Sequence, residues 1–133
     1  MVSQQRPGSI LLVSSVTSNR VPFPLYQSSY TVSKAGVGQL TTALAAEWAQ
    51  YGIRVNSISP GFMRSAITSE AAVKPLVQLW LERIPLGRCG EPDELSGAVV
   101  FLCSDAGRYV TGTDVYVDGK YFFFLVVQII ELD

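Results

Sequence analysis

Short apolar runs, separated by longer mixed segments, predict buried strands in this chain. Ser9–Ser15 (SILLVSS) is a continuous apolar run after Pro7-Gly8, as is typical of a strand buried on both faces. Ile53–Ser59 (IRVNSIS) predicts a second strand, which ends at Pro60-Gly61. Asp114–Asp118 (DVYVD) predicts a third strand, followed directly by a glycine.

A long helix is predicted between the first two strands, after a loop over Val16–Gln27. Ser28 or Ser29 can cap this helix, which runs to about Tyr51 with Gly52 as its stop. Apolar residues occupy most of the faces of this helix. We therefore expect the sheet to cover one side of it and a partner subunit to cover the other.

Two further helices are predicted before the third strand. Ser69–Arg83 has the pattern of a helix in which Pro75 marks a kink or a restart. Pro92 suits the first position of another helix, which runs to about Ser104. The alternation of strands and helices predicts an α/β fold with a parallel sheet and right-handed crossovers.

The composition narrows the possible functions. A chain of 133 residues with 48% hydrophobic and 16% charged residues suits one globular domain. The net charge of -1, without a basic patch, gives no reason to expect a nucleic acid as partner. The chain contains no histidine, which excludes a histidine-based triad, and its two cysteines do not form a metal-binding cluster.

The location of the protein is predicted from its cysteines and its two ends. Met1–Gly8 is polar and lacks the apolar run of a secretion signal. We therefore expect Cys89 and Cys103 to be reduced thiols in a cytoplasmic protein. Tyr121–Ile130 is too short for a membrane span, which takes about 20 apolar residues. We expect this apolar tail to be an extra strand, an adhesive patch or an aberrant translated end, rather than a membrane anchor.

The candidate chemistry lies at the ends of the strands. Ser14-Ser15 closes the first strand, and Pro60-Gly61 closes the second. Tyr30 and Lys34 are one helical turn apart near the start of the long helix, so they share a face. Ligands of open parallel sheets bind beyond the carboxyl ends of the strands, where all these residues should meet.

An acid/base function is the chemical interpretation of this group. A lysine ammonium one turn away favours the phenolate of Tyr30, which could then exchange a proton with a substrate. The hydroxyl of Ser15 could hold a carbonyl or alcohol oxygen in place. Each motif alone has an ordinary structural explanation, because Ser-Ser and Pro-Gly after a strand are common turns. Their order and their positions at strand ends favour the functional interpretation.

Over about residues 8–119 the sequence resembles the short-chain dehydrogenase/reductase family. The segments that carry the resemblance are Gly8-Ser9-Ile10, Ser14-Ser15, Tyr30-Thr-Val-Ser-Lys34-Ala35, Gly52-Ile-Arg-Val-Asn56-Ser-Ile-Ser-Pro60-Gly61, Pro85-Leu86-Gly87-Arg88, Gly90-Glu91-Pro92 and Val117-Asp118-Gly119. The polyol and sugar dehydrogenase branch, with its NADP-dependent mannitol dehydrogenase-like proteins, is the most similar. Reductases of secondary-metabolite pathways share the same features.

The resemblance implies a catalytic role for three residues. Ser15, rather than Ser14, matches the serine that positions the substrate oxygen. Tyr30 matches the proton donor and acceptor. Lys34 matches the residue that supports the tyrosine and holds the nicotinamide ribose, so Tyr30 and Lys34 also count as cofactor contacts.

Four more residues are implied to contact the cofactor, and no residue is implied to bind a metal. Pro60, Gly61 and Met63 match the loop that faces the nicotinamide, and Ser65 stands where the family often has threonine. NADP is the expected cofactor by closeness to the mannitol dehydrogenase-like branch, and NAD stays open. Gly36-Val-Gly38 lies inside the long helix and is expected to permit close helix packing rather than to bind phosphate.

The resemblance also implies a domain division. Residues 1–120 are expected to form the C-terminal catalytic half of a doubly wound, Rossmann-type parallel sheet, without the N-terminal cofactor-binding half. Residues 121–133 form an apolar tail with no counterpart in the family. The first strand would then keep an unpaired edge, so we expect a homo-oligomer or pairing with a full-length relative.

Three functions follow as hypotheses. The first is an NAD(P)-dependent oxidoreductase that acts on a carbonyl/alcohol pair of a polyol, a sugar or a secondary-metabolite ketone. The second is a catalytically inactive member that acts as a pairing module. The third is a protein that associates with membranes through its apolar tail.

Overall fold

The chain forms a three-stranded parallel sheet with the strands in sequence order. The computed structural model describes residues 1–4, 6–21, 23–66 and 74–121. The strands are β1 Gly8–Val13, β2 Ile53–Pro60 and β3 Asp114–Val117. All three predicted strands and their parallel arrangement are confirmed. The first prediction extended too far, since Ser14 and Ser15 lie beyond the end of β1.

β2 is the central strand, and its buried polar side chains hold the neighbouring elements. The hydroxyls of Ser57 and Ser59, both fully buried, donate to the two carboxylate oxygens of Asp114 at 2.9 and 2.7 Å. The fully buried Asn56 donates through Nδ2 to the carbonyl of Val110 at 3.0 Å. Because these polar groups are paired inside the fold, they align β3 and the segment before it with β2.

The long helix α1 spans Ser28–Trp48 and continues into a short 3₁₀ turn over Ala49–Tyr51. Gly52 then adopts a left-handed conformation with φ 67°, as its predicted role as the stop requires. The predicted serine cap is wrong. The helix starts one residue earlier than a cap at Ser28 would need, and the carbonyl of Gln27 accepts the first helical hydrogen bond.

α1 packs one face on the sheet and leaves the other open among the described residues. Thr41 and Ala45 are buried against the core, whereas Val32 is 70% exposed and Leu40 is 47% exposed. A Cβ atom added at Gly36 or Gly38 would meet nothing within 4 Å. The expected close helix packing at these glycines is therefore not found in the described part of the chain.

Two apolar clusters form the core. The first combines α1 with the start of β2 and contains Ala45, Ile53 and Val55 together with Ile10, Leu12, Leu44 and Trp48. The second contains Val16, Ile84 and Tyr121 with Phe62, Leu81 and Tyr116. Tyr121 is fully buried, although the sequence analysis assigned it to the tail. Residues 122–133 of that tail lie outside the described residues.

Two shorter helices follow β2. The helix α2 covers Lys74–Leu81, and residues 67–73, which would decide between a kink and a restart at Pro75, lie outside the described residues. Pro92 opens a 3₁₀ turn that leads into α3, Ser96–Cys103, as predicted. No helix within the described ranges is long and apolar enough to cross a membrane.

Backbone hydrogen bonds join the segment after β2 to Gly90. Met63 and Gly90 form an isolated parallel bridge, in which the Gly90 N–H donates to the Phe62 carbonyl at 2.9 Å. The Arg64 N–H donates in turn to the Gly90 carbonyl at 2.7 Å. A Cβ atom at Gly90 would lie 2.8 Å from the end of the Met63 side chain, which could move aside.

An ion pair between Arg88 and Glu94 stabilises the turn that follows Gly90. Arg88 donates to both carboxylate oxygens of Glu94 at 2.6 Å, and the Glu91 N–H donates to Glu94 at 2.7 Å. Glu91 and Glu94 form a reciprocal capping box at the start of the Pro92 turn. These bonds, first that of Arg88, lower the pKa of the Glu94 carboxyl from its usual 4.5 to about 2.

Replacing Gly61 with alanine should destabilise the fold. A Cβ atom there would lie 2.6 Å from the Cα atom of Asp118, a backbone contact that only a main-chain shift could relieve. We expect Gly61→Ala to lower the free energy of unfolding by about 1–3 kcal/mol, measured by urea denaturation. Gly97→Ala, which meets nothing within 4 Å in α3, should leave stability unchanged or raise it by about 0.5–1 kcal/mol. Equal effects of both substitutions would contradict this packing.

The Glu94 carboxylate should make stability depend on acid pH. Its pKa in the folded chain is lowered from the usual 4.5, so its contribution is fully present above that value and is lost as pH falls towards about 2. Glu94→Gln should flatten the fall in melting temperature across this window, while Asp93→Asn, an adjacent carboxylate outside the pair, should not. High salt should reduce the difference because the pair is exposed.

Candidate active site

Ser15 and Tyr30 line one open pocket at the carboxyl end of the sheet. The pocket has a volume of about 440 Å³. Its walls are formed by Ser15, Val16, Thr17, Leu25, Tyr26, Gln27, Ser29, Tyr30, Gly61, Phe62 and Trp80. Residues from the end of β1, the start of α1 and the segment after β2 are thus brought together, as the strand-end prediction requires.

The Ser15 hydroxyl is buried and held by its own turn. Ser15 is 8% exposed and caps the 3₁₀ turn Val16–Ser18 that follows β1. Its Oγ accepts one hydrogen bond from the Thr17 N–H at 3.2 Å and a second from the Thr17 hydroxyl at 3.1 Å. These two bonds fix the position of the oxygen in the pocket wall.

Ser14 has a different task. Its Oγ donates to the carbonyl of Lys34 at 3.0 Å, and its N–H donates to the Ile58 carbonyl at 2.8 Å. Ser14 therefore joins the end of β1 to α1 and to β2, and Ser15 is the serine that lines the pocket.

Lys34 is aligned by the strand it crosses. Its Nζ donates to the carbonyl of Val13 at 2.9 Å and lies 5.7 Å from the centre of the Tyr30 ring. Tyr30 itself is 44% exposed, so its ring faces the open pocket. The site therefore holds a positive charge and a phenolic hydroxyl one helical turn apart on α1.

The residues that the resemblance implied for the cofactor are only partly brought together. Gly61 lines the pocket of Ser15 and Tyr30, and Pro60 ends β2 directly before it. Met63 lines a separate cavity of about 90 Å³ beside Arg88. Ser65 is exposed in the segment that follows. Of the residues implied for the cofactor, Tyr30 and Gly61 share the pocket with Ser15.

The sequence analysis missed two groups in the pocket wall. Thr17 carries the hydroxyl that contacts Ser15, and its only sequence signal was its place two residues after that serine. Phe62 and Trp80 stack with ring centres 4.1 Å apart and an interplanar angle of 13°. No local pattern pairs these two rings, because they come from the segment after β2 and from α2.

Two arginines anchor the loop that runs from Ser15 to α1. Arg20 donates to the carboxylate of Asp118 and to the Tyr121 carbonyl, both at 2.6 Å. Arg83 donates to the carbonyl of Phe23 from the far side of the pocket. These contacts join the described part of the loop to distant segments of the chain.

Known proteins resemble this chain over most of its length. A family profile described as Enoyl-(Acyl carrier protein) reductase matches residues 1–121. Galactitol 2-dehydrogenase (L-tagatose-forming) of Cereibacter sphaeroides is 46% identical over 86% of this chain and 45% of its own length. NADP-dependent mannitol dehydrogenase of Aureobasidium melanogenum is 41% identical over 89% of this chain and 44% of its own length. The chain thus spans less than half the length of these relatives.

Solved structures show the same fold. A short-chain type dehydrogenase/reductase from Mycobacterium marinum superposes with a TM-score of 0.85 at 41% identity, over 90% of this chain and 46% of that one. An Agrobacterium tumefaciens protein, a candidate 2-deoxy-D-gluconate 3-dehydrogenase solved with bound NADP, has a TM-score of 0.82 at 39% identity, over 90% of this chain and 48% of that one. These neighbours confirm that the sheet is part of a Rossmann-type fold. The profile match over most of the chain, together with these superpositions, means that the chain belongs to the short-chain dehydrogenase/reductase family.

Proposed function

We propose that this chain takes part in hydride transfer between NADP and the carbonyl/alcohol carbon of a sugar or polyol, with Tyr30 as proton donor and acceptor. The observation that carries the proposal is the grouping of Ser15 and Tyr30 in one pocket, with the Lys34 ammonium 5.7 Å from the Tyr30 ring. The two hydroxyls come from different elements, and a substrate oxygen between them could contact both.

Tyr30, Lys34 and Ser15 have separate roles in the proposed reaction. In reduction, Tyr30 gives its phenolic proton to the substrate oxygen, and in oxidation it takes that proton back. Lys34 holds its positive charge beside the Tyr30 ring and carries donors that can hold the cofactor. Ser15 keeps the substrate oxygen in place by donating its hydroxyl hydrogen. When bound, NADP supplies or receives the hydride at the substrate carbon.

The residues present fit a nicotinamide ribose beside Tyr30. The Lys34 ammonium carries three donors, and the hydrogen bond to the Val13 carbonyl uses one of them. Gly61 contributes backbone to the pocket wall next to the end of β2. We propose Lys34 and Gly61 as the principal contacts, with Tyr30, Pro60, Met63 and Ser65 around them. NADP is favoured over NAD because the relative from Aureobasidium melanogenum is NADP-dependent by name and the Agrobacterium tumefaciens structure holds NADP.

A polyhydroxylated substrate suits the pocket. Its wall carries several hydroxyl groups, those of Ser15, Thr17, Tyr26, Ser29 and Tyr30. Such a wall offers more hydrogen-bond partners than a simple ketone needs. The names of the galactitol and mannitol dehydrogenases point the same way. A secondary-metabolite ketone is the alternative substrate class.

The free thiols favour a cytoplasmic setting for this reaction. Cys89 is buried and Cys103 is exposed, and both are unpaired. An exposed thiol persists in a reducing compartment, where disulfides are rare.

A pairing function is the second candidate, and the outer face of α1 favours it. Val32 and Leu40 are 70% and 47% exposed on a helix whose opposite face is buried in the core. Gly36 between them leaves room for a close approach. We propose that a second copy of this chain packs on this face, either in addition to the reaction or in place of it.

Tyr30→Phe should abolish the reaction. Removal of the phenolic hydroxyl leaves no group to exchange the proton, so we expect the rate of NADPH-dependent ketose reduction to fall by at least about 100-fold. Tyr109→Phe is the matched control, because Tyr109 is fully exposed and does not line this pocket. Lys34→Ala should lower both the rate and the affinity for NADPH, measured by nicotinamide fluorescence. Full activity in Tyr30→Phe would contradict the proposed proton transfer.

Val32→Glu should weaken self-association. A carboxylate on the outer face of α1 would have to be desolvated in the interface, which is unfavourable. We expect the apparent mass in size-exclusion chromatography with light scattering to fall relative to wild type. Val100→Glu is the control, since Val100 is 64% exposed on a different helix, α3. An unchanged mass in Val32→Glu, or an equal fall in both variants, would exclude the outer face of α1 as the interface.

A further inference from the structure

We propose that Thr17 is a positioning residue that makes Ser15 a hydrogen-bond donor only, so that Ser15 stabilises charge on the substrate oxygen but never takes its proton. This inference rests on the proposed function, in which Ser15 contacts the substrate oxygen. It assigns a role to a residue outside the set of Ser15, Tyr30 and Lys34. Thr17 lines the same pocket and is 6% exposed.

The count of lone pairs on Ser15 carries the inference. A serine hydroxyl has one hydrogen and two acceptor lone pairs. The Thr17 N–H reaches the Ser15 oxygen at 3.2 Å, and the Thr17 hydroxyl reaches it at 3.1 Å. When a substrate oxygen accepts the Ser15 hydrogen, Thr17 fills both lone pairs. The only group that Ser15 then presents to the pocket is its hydrogen.

Proton transfer is thereby assigned to Tyr30 alone. In reduction, bound NADPH would supply a hydride to the carbonyl carbon, and the electron pair of the C=O π bond would move to the oxygen. That oxygen takes the phenolic proton of Tyr30 and becomes an alcohol, which leaves Tyr30 as the phenolate. Ser15 keeps its own hydrogen throughout, because neither of its lone pairs can accept another. Its hydrogen bond strengthens as charge develops on the substrate oxygen, which is the condition for stabilising the transition state.

The Thr17 hydroxyl also strengthens the hydrogen bond that Ser15 donates to the substrate oxygen. A hydroxyl that accepts a hydrogen bond becomes a better donor, so the chain from Thr17 through Ser15 to the substrate oxygen is cooperative. Both residues are buried, with exposed fractions of 6% and 8%, and water competes little for these bonds. Ser15 would otherwise use its free lone pair to accept a hydrogen bond from the substrate or from water, in a different orientation.

A purely structural role for these contacts can be separated from the proposed one. Ser15 caps the Val16–Ser18 turn through the bond from the Thr17 backbone N–H. No substitution of the Thr17 side chain removes that bond. The bond from the Thr17 hydroxyl is additional to the cap. Thr17→Val removes this hydroxyl at nearly unchanged volume, and Thr17→Ser retains the hydroxyl with a smaller side chain.

The test measures the hydrogen bond from Ser15 to a bound ketone through the C=O stretching frequency of that ketone. Dihydroxyacetone labelled with ¹³C at its carbonyl is bound to the full chain with oxidised NADP, a mixture that cannot turn over, and the C=O stretch is recorded by infrared difference spectroscopy. Steady-state kinetics with NADPH and the melting temperature are measured on the same proteins. The set is wild type, Thr17→Val, Thr17→Ser and Ser15→Ala.

We expect wild type to lower the carbonyl frequency of the bound ketone and Ser15→Ala to lose most of this shift. Thr17→Val should lose part of the shift and reduce kcat by about threefold to tenfold, the weight of one hydrogen bond, with KM and melting temperature little changed. Thr17→Ser should behave as wild type. This pattern supports the inference, because a loss of the cap alone would lower the melting temperature and leave the carbonyl band in place.

Two results would overturn the inference, and they differ in their meaning. If Ser15→Ala loses the shift but Thr17→Val keeps both the shift and kcat, Ser15 acts on the substrate without help from Thr17, and the proposed function stands. If wild type gives no shift, or Ser15→Ala shifts the band as wild type does, Ser15 does not contact the substrate oxygen. The proposed role of Ser15 then fails and the inference fails with it.

Discussion

The parallel pairing of β2 with both of its neighbours is the constraint on which the rest of the structure depends. Because β1 and β2 run in the same direction and in register from Gly8 with Ile53 to Val13 with Ile58, the residues after both strands emerge at one edge. The Asp114 carboxylate, held by two buried serines of β2, extends the same alignment to β3. The pocket is a consequence of this shared edge, since open parallel sheets place ligands beyond their strand ends.

The junction between β1 and α1 positions the candidate catalytic residues at that edge of the sheet. The Lys34 ammonium donates to the carbonyl of Val13, and Ser14 donates to the carbonyl of Lys34, so strand and helix are joined by two reciprocal hydrogen bonds. Tyr30, one turn earlier on α1, is thereby carried to the pocket that Ser15 lines. The arrangement explains why adjacent serines have separate tasks: Ser14 fixes the helix, and Ser15 faces the space where a substrate oxygen would lie.

Local patterns predicted most of the elements, and the departures have physical causes. The apolar runs, Pro92 and Gly52 located strands, a turn and a helix end, because backbone propensity acts over a few residues. No serine caps α1, because Gln27 occupies the N-cap position and its side chain makes no capping hydrogen bond. The loop before it is joined to distant segments by Arg20 and Arg83. The glycines of α1 were assigned to close packing, yet no described residue approaches them. What covers a helix face is a tertiary or quaternary matter that periodicity alone does not settle.

The sequence by itself determined the α/β class and the parallel direction of the strands, since these depend on periodicity and on the order of the elements. Its resemblance to the short-chain dehydrogenase/reductase family selected Ser15, Tyr30 and Lys34 as the candidate site. Only the tertiary structure decided which residues share the pocket. It brought Gly61 beside Tyr30, placed Met63 in a neighbouring cavity and set the Thr17 hydroxyl against Ser15. The physical reason is that a hydrogen bond or a cavity wall depends on distances of a few ångströms between segments, and those distances are set by packing rather than by any local pattern.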